Sequence, residues 1–317
     1  MKNEKTIKKV TSSKKTKQVR KVSKYKSIII PGVFVDPKND VAFKKLFGDE
    51  NHKAVTMSFL NSMLSLSGDQ AIKEIEFLKT EIQPTHLFGK KIYLDVFCTN
   101  ALDKQFIIEM QSVSEFDFIQ RSQMYAARAL AAQIFKGQEY ADLIPVIFLG
   151  IVDFTLFEQD NNIISTYAIT NSLTGKVPFQ SLLTWHYVEL SKFTIKIDEI
   201  DKLKTMHDKW FYFVKYADGL KVVPSQLQEF KEAFSVIEQL RWSQADLLHY
   251  SQADDAIAKA KRQQEGAKAE GVQEGLEKGA LKAKEESAIN SLKIGLTIEQ
   301  AAVISGLSVD HVKKLKK

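Results

Sequence analysis

Two acids frame the chemistry this chain could do. Asp95 sits in the run KIYLDVFCTN (residues 91–100) and Glu109 in KQFIIEMQ (residues 104–111). Both runs are rich in β-branched and aromatic residues, and only Ala101, Leu102 and Asp103 separate them, so they predict two strands joined as a hairpin. With the turn centred on Leu102, paired residue numbers sum to 204 and Asp95 faces Glu109. Like charges directly opposite repel, and each acid has apolar sequence neighbours: Leu94 and Val96, Ile108 and Met110. A divalent cation between them would turn repulsion into ligation. Mg2+ takes one or two carboxylates, water and substrate phosphate, which suits phosphodiester hydrolysis. The plainer alternative leaves both carboxylates in solvent on an amphipathic hairpin without metal. The apolar flanks weigh against it, because they describe central, buried strands.

The elements that must hold these acids are legible on either side. Pro37 and Gly48 bracket a short helix over residues 36–48, with Phe43 and Phe47 on one face. A second helix is expected over 52–66, then an extended or mixed segment over 72–82. After the hairpin, residues 116–135 are rich in Ala, Leu, Gln and Arg and predict a long helix ending at Gly137. Residues 142–154 give a buried strand. The order helix, strand, strand, strand, helix, strand predicts an α/β core of helices on a mixed sheet. Residues 175–192 read as irregular to extended, and 195–217 and 224–240 as amphipathic helices.

Other residues carry weaker signals. Arg121, Tyr125 and Arg128 share one face of the predicted helix, where two cations beside a phenol would suit a phosphate, or where pairing with Glu115 or Asp117 would be merely structural. Asp40, preceded by Asn39, opens the first helix and would cap it. The six histidines, His86, His186 and His207 among them, show no metal-ligand spacing, and no phosphate-binding glycine loop occurs. Cys98, three residues from Asp95, belongs on the opposite strand face and reads as core.

Taken together and in order, DPKNDVAFKKLFG, LDVFC, FIIEMQ, the spaced Phe118, Arg121, Tyr125 and Arg128, and GQEYADLIPVIFLGIVDF resemble the PD-(D/E)XK nuclease family transposases, also called recombination-promoting nucleases. The resemblance spans about residues 36–250. It implies a restriction-endonuclease-like α/β fold, a mixed sheet flanked by helices, and Mg2+- or Mn2+-dependent cleavage of double-stranded DNA linked to transposition or recombination. It assigns metal ligation to Asp95, Glu109 and the carbonyl of Met110, and a supporting catalytic role, through water, to Asp40. Gln111 falls where the class name expects Lys: it can position water or phosphate but brings no positive charge. Arg121, Tyr125 and Arg128 become the DNA-facing set. The competing reading is a catalytically inactive member that binds DNA or a protein; a third is a helical scaffold without DNA contact.

Bulk composition fits this picture. The 317 residues exceed one average domain, and 44% hydrophobic with 26% charged residues describes a globular chain. Charge is segregated: residues 1–26 hold eleven Lys/Arg against one Glu, a net +10, leaving the rest with 34 against 38, a net −4. That leader predicts a disordered basic tail, either solubilising or loosely attracted to phosphate, and lacks the apolar core of a signal peptide. A single cysteine excludes an intramolecular disulfide and points to a reducing, cytoplasmic setting; the most apolar stretch, residues 143–152, is too short to span a membrane. The expected divisions are tail 1–27, nuclease-like domain 28–250, helical Gly/Glu/Lys-rich linker 251–290, and a helix-turn-helix-like motif 291–317. In that last motif Thr297 with Gln300 and Ser308 cap two short helices, the second basic, with no third helix apparent to complete a core. A homo-oligomer is compatible with all of this.

Overall fold

A computed structural model of the chain describes residues 32–83, 90–134, 137, 139–177 and 181–315. The basic leader and His86 lie outside these residues. The elements are α1 (Asp40–Phe47), α2 (Lys53–Met63), β1 (Ile75–Phe77), β2 (Glu81–Ile82), β3 (Ile92–Tyr93), β4 (Val96–Asn100), β5 (Gln105–Gln111), α3 (Phe118–Ala131), β6 (Val146–Val152), β7 (Ile164–Ala168) and β8 (Leu183–Glu189). They are followed by α4 (Met206–Tyr216), α5 (Lys231–Ile237), α6 (Gln244–Lys293), α7 (Ile298–Ser305) and α8 (Val309–Leu315).

Six strands form one mixed sheet in the order β1-β4-β5-β6-β8-β7. The hairpin β4–β5 is antiparallel, β5–β6 and β6–β8 are parallel, and β1 and β7 close the edges antiparallel. Side chains alternate along strands, so each sheet face builds its own core. Val96, Cys98, Phe106, Ile108, Leu149, Ile151 and Val188 pack with α1, α2, α4 and α5. On the other face, Phe97, Ile107, Val146, Phe148, Val152 and Tyr187 pack against Phe118, Ala126 and Ala129 of α3. Cys98 is buried in the first of these cores and its thiol is pushed up to about 12 by burial, as a core residue and not a nucleophile requires.

Local chemistry explains the boundaries. Asn39 caps α1, its side chain accepting from the Val41 amide, and Gly48 closes it. Capping thus falls to Asn39, and Asp40 is the first helical residue, paired with Lys44 one turn on. The β4–β5 turn is held by Asn100, whose side-chain oxygen accepts from the Leu102 and Lys104 amides while Asp103 takes a positive φ of 51°. Paired residues in this hairpin run from Val96 opposite Ile108 to Thr99 opposite Gln105.

Several expectations need correction. The run 91–100 is not one strand: it breaks at Leu94 and Asp95, and its first part, β3, pairs with β2 in a separate two-stranded sheet. Helix α3 ends at Ala131, before Gly137, because Gln133 leaves the helix to clamp Ile144, accepting from its amide and donating to its carbonyl. Strand β8 falls within the segment 175–192 read as irregular to extended, and β7 lies between the expected elements. The C-terminal motif does have a third helix. The end of α6 supplies Ala288 and Leu292 to a small core with Ala301, Ala302, Leu307 and Val312. Helix α6 runs unbroken for 50 residues, exposed along most of its middle, and no helix among the described residues is long and apolar enough to cross a membrane.

Candidate active site at the end of the β4–β5 hairpin

The site forms where the backbone ladder of the hairpin stops. Asp95 lies one residue before β4, and beyond the Val96–Ile108 pair the two acids take over the connection between the chains. The Asp95 amide donates to Glu109 Oε1 at 2.9 Å, and the Met110 amide donates to Asp95 Oδ2 at 3.1 Å. Both acids are therefore held at the same end of the hairpin, by each other's segment.

Burial makes this expensive. Glu109 is only 7% exposed and the Asp95 side chain 13%. Burial, only partly offset by Lys44, pushes the Asp95 carboxyl up to about 6, with Asp40 adding repulsion. Glu109 is raised well above its ordinary range, first by burial and then by the Asp95 charge. Two adjacent carboxyls that resist ionisation together are an arrangement a cation would relieve.

Asp40, Lys44 and Asp95 form a chain of charge. Lys44 Nζ stands 2.8 Å from Asp40 Oδ1 and 3.1 Å from Asp95 Oδ1. Burial opposes its charge most strongly, yet the two carboxylates hold the ammonium above its ordinary value. Lys44 and Asp95 also border a cavity of about 250 Å3, walled by Gly48, Phe77, Thr80, Tyr93 and Phe97 among others. Sequence reading passed over Lys44; its spacing to Asp40 marks a helical pair, but nothing in the sequence announces Asp95 as its second partner.

The face of α3 behaves differently from a free DNA-binding surface. Arg121 donates to Gln111 Oε1 at 2.7 Å and pairs with Glu115. Gln111 in turn donates to the Val113 carbonyl at 3.0 Å, so both ends of its amide are engaged within the protein. Tyr125 is half-buried, and its hydroxyl is raised by burial first and by the Glu109 charge next. Arg128 turns away to the Gln83 carbonyl. The three residues share a helix face, as expected, and Arg121 and Arg128 are both engaged by partners within the protein. His186 and His207 lie elsewhere, against Thr166 and Ser65.

The donor set suits a hard divalent cation: two carboxylates, with a main-chain carbonyl at Met110 between Glu109 and Gln111, and no thiolate or imidazole. Among the described residues there is no cluster of three or more His, Cys, Asp or Glu arranged to hold a metal ion by itself. A two-carboxylate site that completes its shell with water and substrate oxygens is compatible with that.

Comparison with known proteins gives a consistent answer. Residues 37–267 match the family described as PD-(D/E)XK nuclease family transposase. No curated protein and no solved structure matches the chain. The family match spans most of the chain, including α1, the whole six-stranded sheet and both acids of the hairpin. This chain belongs to the PD-(D/E)XK nuclease family transposases, a nuclease-type family tied to recombination.

Proposed function

We propose that the protein is a divalent-metal-dependent endonuclease of double-stranded DNA, with Asp95 and Glu109 as the metal-binding carboxylates and Mg2+ or Mn2+ as the ion. The observation that carries this reading is the side-by-side burial of two acids that both resist ionisation. Bound there, the ion would polarise the scissile phosphate and lower the pKa of attacking water. The protein's own residues do the rest. Asp95 and Glu109, together with the Met110 carbonyl, hold the ion. Gln111, freed from Val113, aims a water at phosphorus. Asp40 restrains Lys44 through their ion pair. Arg121 and Tyr125 face the strand being cut, and Arg128 extends that surface once released from Gln83. In the hydrolysis the water oxygen bonds to phosphorus, the bond to the leaving sugar oxygen breaks, and the proton lost by water is balanced by one taken up on that oxygen.

The test is plasmid nicking by the full chain with Mg2+, with Mn2+ and with chelator, beside Asp95→Asn and Glu109→Gln. Cleavage that needs metal and vanishes in both variants supports the reading. Equal nicking by parent and variants rejects the site. A second reading has a specific observation in its favour: Lys44 already neutralises part of the Asp95 charge, as it would in a member that binds DNA or protein without cutting. Calorimetric titration with Mn2+ separates the two, because the binder shows no carboxylate-dependent uptake.

A further inference from the structure

The E-x-Q arrangement at Glu109 to Gln111 leaves the site without the lysine that would follow the second acid. We propose that Lys44 supplies that cation from α1, exchanging Asp95 for a non-bridging oxygen of the scissile phosphate when metal occupies the acids. This rests on the nuclease reading above and adds a residue to it.

The geometry supports the exchange on three counts. First, of the charges acting on Glu109, Lys44 and Arg121 are cations, and Arg121 is already ion-paired with Glu115 and hydrogen-bonded to Gln111. Second, Lys44 is shared between an acid of the proposed metal site and Asp40, a half-exposed acid that lies outside it. An ammonium has three donors on a flexible stem, so it can keep Asp40 as a tether while one donor changes partner. Were Asp95 to ligate a metal, the ion would compete with Lys44 for the same carboxylate and free one Lys44 donor for a phosphate oxygen.

Third, there is room for what it would meet. The cavity bordered by both Lys44 and Asp95 holds about 250 Å3, roughly eight waters at ~30 Å3 each, space for a phosphodiester linkage. Its walls at Thr80 and Tyr93 offer a hydroxyl and a ring, chemistry compatible with a sugar-phosphate backbone. An ion pair retained only for stability needs no such opening, and the half-exposed Lys44–Asp40 pair contributes little to stability.

The experiment uses the full chain as parent, K44M, K44R and D95N, with three readouts. Metal uptake is measured by calorimetry with Mn2+. DNA affinity is measured in Ca2+ across a salt series, and cleavage is measured in Mg2+. For K44M the expected results are metal uptake equal to or tighter than the parent, a salt-dependence slope smaller by about 0.9, the value for one lost phosphate contact, and cleavage down by about 100-fold or more. K44R restores the slope and part of the cleavage, because it keeps the charge without the point geometry. Cleavage by K44M at the parental rate overturns the assignment, as does loss of metal uptake in K44M, which would make Lys44 a brace for Asp95. If K44M does not fold, a K44R slope equal to the parent's with cleavage only partly reduced supports the charge role, and a K44R slope reduced as for a lost contact overturns it. A parent that neither takes up metal through Asp95 nor cuts DNA brings down the nuclease reading itself, a result separable from failure of Lys44 alone.

Discussion

Asp95 and Glu109 are joined by a hydrogen bond in which the amide of one donates to the carboxylate of the other at 2.9 Å, and the return bond runs from the Met110 amide to the Asp95 carboxylate at 3.1 Å. The acids thus serve as the last rung of the hairpin. Their structural and chemical duties are coupled, and truncating either to Ala would confuse the two. Asp95→Ala strands the part-buried Met110 amide, at a cost of about 1–3 kcal/mol. Asp95→Asn keeps an acceptor there. The expectation is that the Asn variant retains the parental fold by circular dichroism and loses cleavage by at least about 1000-fold. An Asn variant that is folded and fully active removes Asp95 from the chemistry.

Stability in chelator should carry the mark of the buried acids. An acid whose folded pKa is raised binds more protons folded than unfolded, so stability is greatest below its ordinary value and falls as pH rises through the folded value. For Asp95, moving from 3.8 to about 6, the loss is on the order of 3 kcal/mol between those limits, and Glu109 adds in the same direction. Glu109→Gln keeps an oxygen for the Asp95 amide and removes the charge. It should melt several degrees above the parent at pH 8 in chelator, and show a flatter decline with pH. A lower melting temperature for this variant would mean that Glu109 is stabilised by partners other than those seen.

Metal uptake should follow the same titration with the opposite sense. Ligation needs both carboxylates ionised, so affinity is weak at pH 5 and climbs as rising pH ionises Asp95, near 6, and Glu109. Protons are released on binding, which calorimetry detects as a heat that depends on the ionisation enthalpy of the buffer. Constant affinity from pH 5 to pH 8 would place the metal elsewhere.

How far the sequence reached depended on the range of the interaction. The pairing of Asp95 with Glu109 was legible because a tight turn fixes register, and Asn100 holds that turn with its own side chain. The break at Leu94 and Asp95 was not, because β3 leaves the hairpin to pair with β2, a tertiary choice that local strand propensity cannot express. Lys44 was missed for a related reason: its helical partner Asp40 is four residues away, but Asp95 arrives from another layer of the fold. Arg128 shows the same limit: it shares the expected helix face, and its bond to the Gln83 carbonyl is a tertiary contact that helical spacing cannot express.

Arg121 and Gln111 should behave as one unit. Gln111 accepts from Arg121, which is also paired with Glu115, so the guanidinium fixes the amide that would position water. Removing either should cost a similar factor in cleavage, and Arg121→Ala with Gln111→Ala together should cost little more than one alone. Metal uptake should be nearly unchanged in all three, since neither side chain is among the carboxylate ligands. Additive losses in the double variant would show that the two residues act independently.

Glycines at two places should respond in opposite ways to the same methyl group. Gly150 pairs with Glu109 across β5 and β6, and a Cβ there would stand 3.0 Å from Phe148, 3.1 Å from Phe118 and 3.3 Å from Tyr187. Those rings are packed against one another beneath α3, so none can give way cheaply. Gly150→Ala should destabilise by about 1–3 kcal/mol. The strain falls on Phe118, one helical turn before Arg121 and Ser122, so α3 must shift outward and carry Arg121 from Gln111. Cleavage should then drop more than metal uptake. Gly275, in the exposed part of α6, has open space around its added Cβ, and Gly275→Ala should raise helix stability by up to about 1 kcal/mol. Thermal melts of the two variants settle the contrast: a Gly150→Ala protein as stable as the parent would mean that α3 rides loosely on the sheet, and the placement of Arg121 against Gln111 would lose its structural basis.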